Sequence, residues 1–388
     1  MKILYVAYTP LCKHGAAPVH VGAIAGGLAK RGHSLTLIAP ELAKPFALDG
    51  VEVVFLQSRL EKAAIWARSA AEWIGASARE FDLLYLRDFY FANPVLKAAE
   101  GIGLPVVLES NGSAKEETKA ENLRNRSIAL LDWYLYQKAR LRAADQVVAV
   151  SPELAKALSA LDEDKAKFHF LPNGVDLDLY NDKADKSLLR AELGLPVEGI
   201  LIGNVGSIFP YHIESPIVQV VEGLASRFPD LRFLHVGGGP AEEAFKQKIS
   251  ASKKPDRFII KGRVSPEQSA KFVQALDVAV TWTTREAGIY CWPVRLSAFA
   301  ASGIPIVAPD WGVYGFFAER GALIPAHGGT AGNMIEAVET LLKDKNLHQI
   351  TSENGRKLAE SELSWDSIVE KIETILNEAI NSKRRKNG

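Results

Sequence analysis

Cysteine is almost absent from this chain: Cys12 and Cys291 are the only two in 388 residues. Their wide separation excludes a dense disulfide framework and suits a reducing compartment. No Cys/His cluster has the spacing of zinc ligands, so a metal site is not expected. An excess of charge of either sign is missing too, with Lys+Arg and Asp+Glu at 46 each. Without a net basic field, or a basic stripe interleaved with aromatics, nucleic acid is not expected as a partner. No apolar run approaches the ~20 residues of a membrane-spanning helix. The opening apolar run, within Met1-Lys-Ile-Leu-Tyr-Val-Ala-Tyr-Thr-Pro10, is too short for a signal peptide and reads as a first strand. A cytoplasmic protein is expected, and peripheral contact with the inner face of a membrane stays an open reading. The dinucleotide fingerprint G-x-G-x-x-G is also lacking, which argues against a nicotinamide-dependent oxidoreductase.

What is present is a steady alternation. Short β-rich apolar runs at 3–8, 34–39, 51–56, 83–86, 106–109, 146–150 and 167–171 predict one series of strands. Runs at 200–205, 232–236, 258–261, 278–281 and 304–308 predict a second. Helical patterns separate them, for instance at 19–31, 130–144, 216–227, 266–276 and 294–301. Such alternation predicts an α/β protein with parallel sheets and helices on both faces. The length allows two domains with full cores.

The two series repeat one plan. Gly27-Leu-Ala-Lys-Arg31 and Gly223-Leu-Ala-Ser-Arg227 each close a helix, and a strand follows each at the same distance. Two Rossmann-like domains are expected, with ligands beyond the carboxyl ends of the strands in a cleft that the two sheets face. We place the first domain at 1–180, a polar linker at 181–197 after the turn Pro172-Asn-Gly-Val-Asp176, and the second domain at 198–365. A last helix is expected at 367–381, with Ile368, Ile372, Ile375 and Leu376 at helical spacing, ahead of a disordered basic tail, Lys383-Arg-Arg-Lys386. That tail reads either as a solvated end or as an attractor of anionic lipid. Trp66 and Trp73, seven apart in a helical pattern at 61–79, read either as core or as an interfacial stripe.

The loops that leave strands carry the candidate ligand groups. After the first strand, Gly15, Ala16 and Ala17 are small enough for close backbone approach, and His20 falls in the following helix. Arg87 and Asp88 follow the fourth run, and Glu109-Ser-Asn111-Gly follows the fifth. In the second half, Gly203-Asn-Val-Gly-Ser207 leads to Tyr211 and His212. Gly237-Gly-Gly-Pro240 reads as a phosphate loop or a tight turn, and Arg263 follows the next run.

The stretch from Trp282 to Ala308 is the most informative. An apolar run ends in Thr-Thr-Arg285-Glu286-Ala-Gly288-Ile289-Tyr290, and a small-residue helix then leads to Gly303-Ile-Pro305. Amides at a helix start lack partners and favour anions. Those of Gly288, Ile289 and Tyr290 are therefore expected to face a phosphate, with Glu286 on a sugar hydroxyl.

Taken in order, these pieces resemble a retaining glycosyltransferase of the GT-B fold, of glycosyltransferase family 4. The likeness rests on Leu28-Ala-Lys-Arg-Gly-His33, Phe81-Asp-Leu-Leu-Tyr-Leu-Arg87, Asp145-Gln-Val-Val-Ala-Val-Ser151 and Pro172-Asn-Gly-Val-Asp176. Val236-Gly-Gly-Gly-Pro240, Lys261-Gly-Arg-Val264, Asp277-Val-Ala-Val280 and Ala300-Ala-Ser-Gly-Ile-Pro305 continue it. The resemblance implies sugar transfer from a nucleotide-sugar of the UDP or GDP type to a glycan or lipid-linked acceptor, in surface-polysaccharide or glycolipid assembly. It implies no other cofactor and no metal. The donor would lie on the second domain and the acceptor on the first, and the last helix would cross back to the first domain.

The chain departs from the family at the donor site. The family pairs two glutamates across seven residues; Glu286 resembles the first, four residues farther from Gly303 than usual, and Ala298 stands where the second belongs. Ser207 stands at the family's arginine, Tyr211 or His212 near its lysine, and Arg87 at the first domain's histidine. Two lost phosphate cations would remove about 3–6 kcal/mol. Arg263, Arg285 and Arg295 are candidates to compensate, Arg295 foremost. The expected sites are then Glu286 as the catalytic residue; Gly15, Ser207, His212, Arg263, Gly288, Ile289, Tyr290 and Arg295 for the donor; and His20, Arg87, Glu109 and Asn111 on the acceptor side. A non-catalytic GT-B module that binds a protein or glycan is the second reading.

Overall fold

The computed structural model describes residues 1–12, 15–41, 46–57, 63–112, 127, 130–212 and 216–387; the side chains of residues 211, 286, 287, 386 and 387 lie outside that description. The chain divides into two compact units. The first comprises Met1–Asn173, Tyr290–Trp292 and Trp365–Gly388; the second comprises Gly174–Ile289 and Pro293–Ser364.

The first unit holds seven strands: β1 (Lys2–Ala7), β2 (Ser34–Pro40), β3 (Val51–Leu56), β4 (Leu83–Arg87), β5 (Val106–Ser110), β6 (Gln146–Ala149) and β7 (Phe168–Phe170). They pair in the order β3-β2-β1-β4-β5-β6-β7. The second unit holds β8 (Leu201–Val205), β9 (Arg232–Val236), β10 (Phe258–Lys261), β11 (Val278–Val280), β12 (Ile306–Pro309) and β13 (Leu323–Ala326), in the order β10-β9-β8-β11-β12-β13. Every strand pair in both sheets is parallel. The expected α/β class, with two parallel sheets, is what the chain forms. Strand order reverses between β1 and β4 in one sheet and between β8 and β11 in the other. Crossover connections leave a crevice at such points, beyond the carboxyl ends of the strands.

The repeated plan has a packing reason. A Cβ on Gly27 would come within 2.6 Å of Val369, and one on Gly223 within 2.5 Å of Ile335. Each glycine thus lets its helix, Ala16–Lys30 or Ile217–Arg227, lie close against another, Trp365–Asn387 or Ala331–Lys343. In the first unit, Ile368, Val369, Ile372, Ile375, Leu376 and Ala379 of the last helix join the core around β1 and β2. That helix continues through the basic residues to Asn387, so the tail expected to be disordered is ordered. Lys383 Nζ approaches Asp145 Oδ2 to 3.8 Å, and this ion pair helps carry the helix past residue 381.

The tryptophan stripe resolves as core. Trp66 is fully buried in the helix Ala63–Ser77, packed on Tyr8 and Phe89 at 5.2 and 5.5 Å between ring centroids. Trp73 is half-buried against Phe81. A fully buried ring cannot anchor in a membrane interface, so the interfacial reading of this pair is corrected. Residues 61 and 62 of the expected helix lie outside the described residues. Among the described residues no helix is long and apolar enough to cross a membrane.

Candidate active site

In the second unit the loops leaving β8 and β9 lie on one another. Gly206 N–H donates to Val236 O (2.8 Å) and Ile208 N–H donates to Gly238 O (3.1 Å). Arg295, near the start of the helix Val294–Ala301, reaches across from the far side of the strand-order reversal. Its Nη1 donates to Asn204 Oδ1 (2.8 Å) and its Nη2 to Ser207 O (2.5 Å). A Cβ on Gly206 would stand 3.1 Å from the guanidinium carbon. Gly206 has φ 135°, a conformation other residues adopt only under strain. The charge of Arg295 is therefore fixed over the loop that follows β8. Arg263 is exposed and stands beside Gly238 on the adjoining loop; a Cβ on Gly238 would come within 3.0 Å of Arg263 Nε and 2.9 Å of Glu242 Oε2. Both guanidinium groups thus sit on the same stacked loop pair.

Two histidines underlie this arrangement. His212 accepts a hydrogen bond from Phe209 N–H at Nδ1 (2.9 Å) and is buried. Burial, then the charge of Arg295, then His235 push it down to about 2. His235 is pushed down to about 4, by burial first and Arg295 second. His235 pairs in register with Asn204 across β8 and β9, and its ring packs edge-on to Phe245. Asn204, His212, His235 and Arg295 line one cavity with Ile208, Ile217, Phe233, Phe245 and Trp282. A histidine held neutral supplies no charge to a phosphate, so His212, expected among the donor-binding residues, adds no cation there.

The expected amides are also corrected. The helix starts at Arg285, three residues earlier than an anion site on Gly288 requires. Gly288 N–H donates to Thr284 O at 2.9 Å. Ile289 and Tyr290 follow in the same helix, whose N–H groups point back along the chain rather than outward. Gly288 itself is packed tightly, since a Cβ there would meet Thr283 Oγ1 at 2.7 Å and Trp311 at 3.2 Å. Arg285 is exposed and lies 5.4 Å over the Trp311 ring. The side chain of Glu286 lies outside the described residues. Ala298 is buried within the helix Val294–Ala301. The glycine run Gly237–Gly239 leads to the helix Glu242–Ser250, whose first turn carries Glu242 and Glu243. Two carboxylates there offset the positive helix end, so the run serves as a tight turn more than as a phosphate cradle.

In the first unit, four expected residues come together. Glu109, at the end of β5, is 1% exposed, which places it below the rim rather than on it. Its Oε1 pairs with His20 Nε2 and accepts from Asn111 Nδ2 at 2.8 Å. Arg87 is its register neighbour on β4. Burial alone would raise the Glu109 carboxyl; the charge of His20 and its hydrogen bond, with Arg87 and Asn111, outweigh burial and hold it at about 2. Tyr5 and Tyr85, paired in register on β1 and β4, stack edge-on at 5.0 Å and are buried beside it. Trp365 packs edge-on against His20 at 5.5 Å. Gly15 is exposed as the cap residue of the helix Ala16–Lys30; a Cβ there would touch only Pro18, at an ordinary 3.9 Å, so close packing gives no reason for a glycine.

Sequence reasoning missed Asn204 and His235 as members of the site. The available signal was a single polar residue next to the last position of each of two apolar strands, Leu-Ile-Gly-Asn204-Val and Arg-Phe-Leu-His235-Val. It also missed the buried ion cluster of Arg140. That guanidinium contacts Asp132 Oδ1 and Oδ2 (2.8 and 2.6 Å), Asp88 Oδ1 (2.9 Å) and Gln137 Oε1 (2.5 Å).

Comparison with known proteins places both units. The model for Glycosyltransferase Family 4 matches residues 17–179, and that for Glycosyl transferases group 1 matches residues 185–358. A D-inositol 3-phosphate glycosyltransferase of Mycobacterium leprae (strain Br4923) is 30% identical over 213 residues, covering 52% of this chain and 46% of that protein. The chain therefore spans less than half the length of that curated relative. The crystal structure of Anabaena Alr3699/HepE in complex with UDP superposes with a TM-score of 0.75 at 18% identity, over 97% of this chain and 100% of that one. Sucrose-phosphate synthase from Thermosynechococcus elongatus superposes with a TM-score of 0.77 at 16% identity, over 98% and 99%. At such identities the solved structures speak for the fold, and the two family models for the lineage. With a Family 4 match in its first unit and a group 1 match in its second, the chain belongs to the glycosyltransferases of the GT-B fold.

Proposed function

We propose that the chain moves a sugar from a nucleotide-sugar donor to a hydroxyl of a glycan or lipid-linked acceptor, with the anomeric configuration retained. The donor's diphosphate binds the second unit and the acceptor binds the first. The observation that carries this reading is Arg295, anchored to Asn204 and Ser207 above Gly206, at the strand-order reversal of the second sheet. A fixed guanidinium needs little reorganisation when charge develops on a leaving diphosphate. Arg263, on the adjoining loop, adds a second cation. HepE is described in complex with UDP and with UDP-glucose, which makes uridine nucleotides the first to try.

In the step, the bond between the anomeric carbon and the phosphate oxygen breaks, and the diphosphate keeps the electron pair. The acceptor oxygen bonds to the same face of the sugar, and its proton passes to the departing phosphate oxygen. Glu286 holds the sugar; that role rests on the resemblance alone. Surface-polysaccharide or glycolipid assembly, on the inner face of a membrane, is the setting this acceptor class implies. The test is incubation with a panel of UDP- and GDP-sugars and mixed acceptors, read by mass spectrometry and anomeric NMR. A retained product that disappears in Glu286→Ala supports the reading. Absence of nucleotide binding at millimolar concentration overturns it and leaves the non-catalytic reading.

A further inference from the structure

The helix over residues 130–143, with a wide turn at Trp133–Gln137 and a regular end at Lys138–Ala143, is amphipathic in reverse. Its inner face is polar: Asp132, Gln137 and Arg140 are buried there. Asp132 Oδ1 accepts from Phe91 N–H (2.8 Å), Gln137 Nε2 donates to Asp88 Oδ2 (3.2 Å) and Arg140 Nη1 donates to Asn93 Oδ1 (3.2 Å). These bonds tie the inner face to the segment that leaves β4 directly after Arg87, and they hold the helix in one rotation. The outer face is apolar, then basic. Leu131, Tyr134 and Leu135 are 50%, 66% and 60% exposed. Lys138 and Arg142, also exposed, continue the stripe toward the end of the helix. Residues three and four apart share one side of a helix, so the five form one surface. Large apolar side chains exposed side by side mark a surface that something covers.

We propose that this outer face docks on an anionic lipid bilayer, with Leu131, Tyr134 and Leu135 at the boundary of headgroups and acyl chains and with Lys138 and Arg142 at the charged surface. The charges choose the occupant. Asp132 is the only carboxylate in residues 130–143, and it lies inside. The outer face of the helix is therefore cationic without an acidic partner of its own. It offers no counter-charge to a second copy of itself, whereas anionic headgroups supply one. Tyrosine favours the membrane–water boundary, where its ring sits in the apolar zone and its hydroxyl meets water. A helix lying in that plane needs one apolar stripe and no spanning length. The surface is defined without the transferase reading; its use, to hold the first unit at the membrane that carries a lipid-linked acceptor, rests on that reading.

The test is co-sedimentation of the full chain with vesicles of phosphatidylcholine alone and of phosphatidylcholine mixed with phosphatidylglycerol. The expected result is binding at least tenfold tighter to the mixed vesicles, weakened by added salt. The triple variant Leu131→Gln/Tyr134→Gln/Leu135→Gln should bind the mixed vesicles at least tenfold more weakly. Lys138→Gln/Arg142→Gln should lose most of the preference for the anionic lipid. Thermal unfolding, and UDP affinity in solution, should be unchanged in both variants, because the replaced side chains are exposed and lie outside the second unit. Three results would overturn the proposal. One is no binding of the wild type to the mixed vesicles, which would leave a protein partner as the occupant. Another is a wild-type dimer that the triple variant dissociates, which would show a second copy on this face. The third is vesicle binding unaltered in both variants but lost in Arg384→Gln/Arg385→Gln, which would move the contact to the last helix. Vesicle binding by a chain that binds no nucleotide would count against the transferase reading alone and support this surface.

Discussion

Arg295 and Asn204 lie 91 residues apart, on opposite sides of a strand-order reversal, and meet through a 2.8 Å hydrogen bond from Nη1 to Oδ1. The bond and its companion to Ser207 O fix the guanidinium over the loop that follows β8. Arg263, beside Gly238, stands on the same loop pair.

Gly206 should be intolerant of any side chain. An added methyl would stand 3.1 Å from the Arg295 guanidinium and force φ 135° on a non-glycine residue. Gly206→Ala is expected to cost about 1–3 kcal/mol of stability and to weaken UDP binding although every charge remains. Thermal unfolding and calorimetric titration of the same sample check both. Unchanged UDP affinity would show that the position of Arg295 does not matter.

The buried histidines make the second unit acid-sensitive. His212 and His235 titrate at about 2 and about 4 when folded, against 6.5 when unfolded. Between pH 6.5 and 4 the unfolded chain binds protons that the folded chain refuses, so stability falls as pH falls through that window. Each histidine contributes a slope of up to about 1.4 kcal/mol per pH unit. His212→Asn, which keeps an acceptor for Phe209 N–H, should remove one such slope in urea unfolding measured from pH 7 to 4.5. Glu109 acts lower: its carboxyl is held at about 2, so its contribution is lost as pH falls below 4.5.

Arg140 is the charge the first unit can least spare. It is 1% exposed and pairs with both Asp132 and Asp88. Burial, the largest influence on Asp88, holds its carboxyl above the ordinary range even with Arg140 beside it. Arg140→Leu leaves two buried carboxylates without their partner and should cost about 3–5 kcal/mol in chemical denaturation. A loss under 1 kcal/mol would mean that the cluster relaxes into solvent.

The last helix belongs to the core of the first unit. Its five large apolar residues, Ile368, Val369, Ile372, Ile375 and Leu376, are buried. At about 1.5–3 kcal/mol each they are comparable to the whole stability of a typical domain. A chain ending at residue 364 should lose the cooperative unfolding of the first unit. Retention of two full transitions in calorimetry would refute this.

The alternation of apolar runs showed both sheets because parallel strands buried on both faces are apolar throughout. β13 escaped notice for a physical reason. It is four residues long, contains Pro325 and lies at the sheet edge, where a proline is tolerated. Gly288 was misread as the turn ahead of a helix because glycine usually marks turns; here it lies inside a short helix and serves close packing against Trp311. Arg295 was legible as a candidate cation from its place after Pro293. Its partners were not, since only the parallel register sets Asn204 beside His235, and only the crossover brings both to Arg295.

Calorimetric titration of UDP into the wild type and Arg295→Ala bears most directly on the account. Binding by the wild type, weakened about 10- to 100-fold in the variant by loss of one charge-assisted contact of roughly 1.5–3 kcal/mol, is the predicted result. Equal affinity in the two proteins would contradict it.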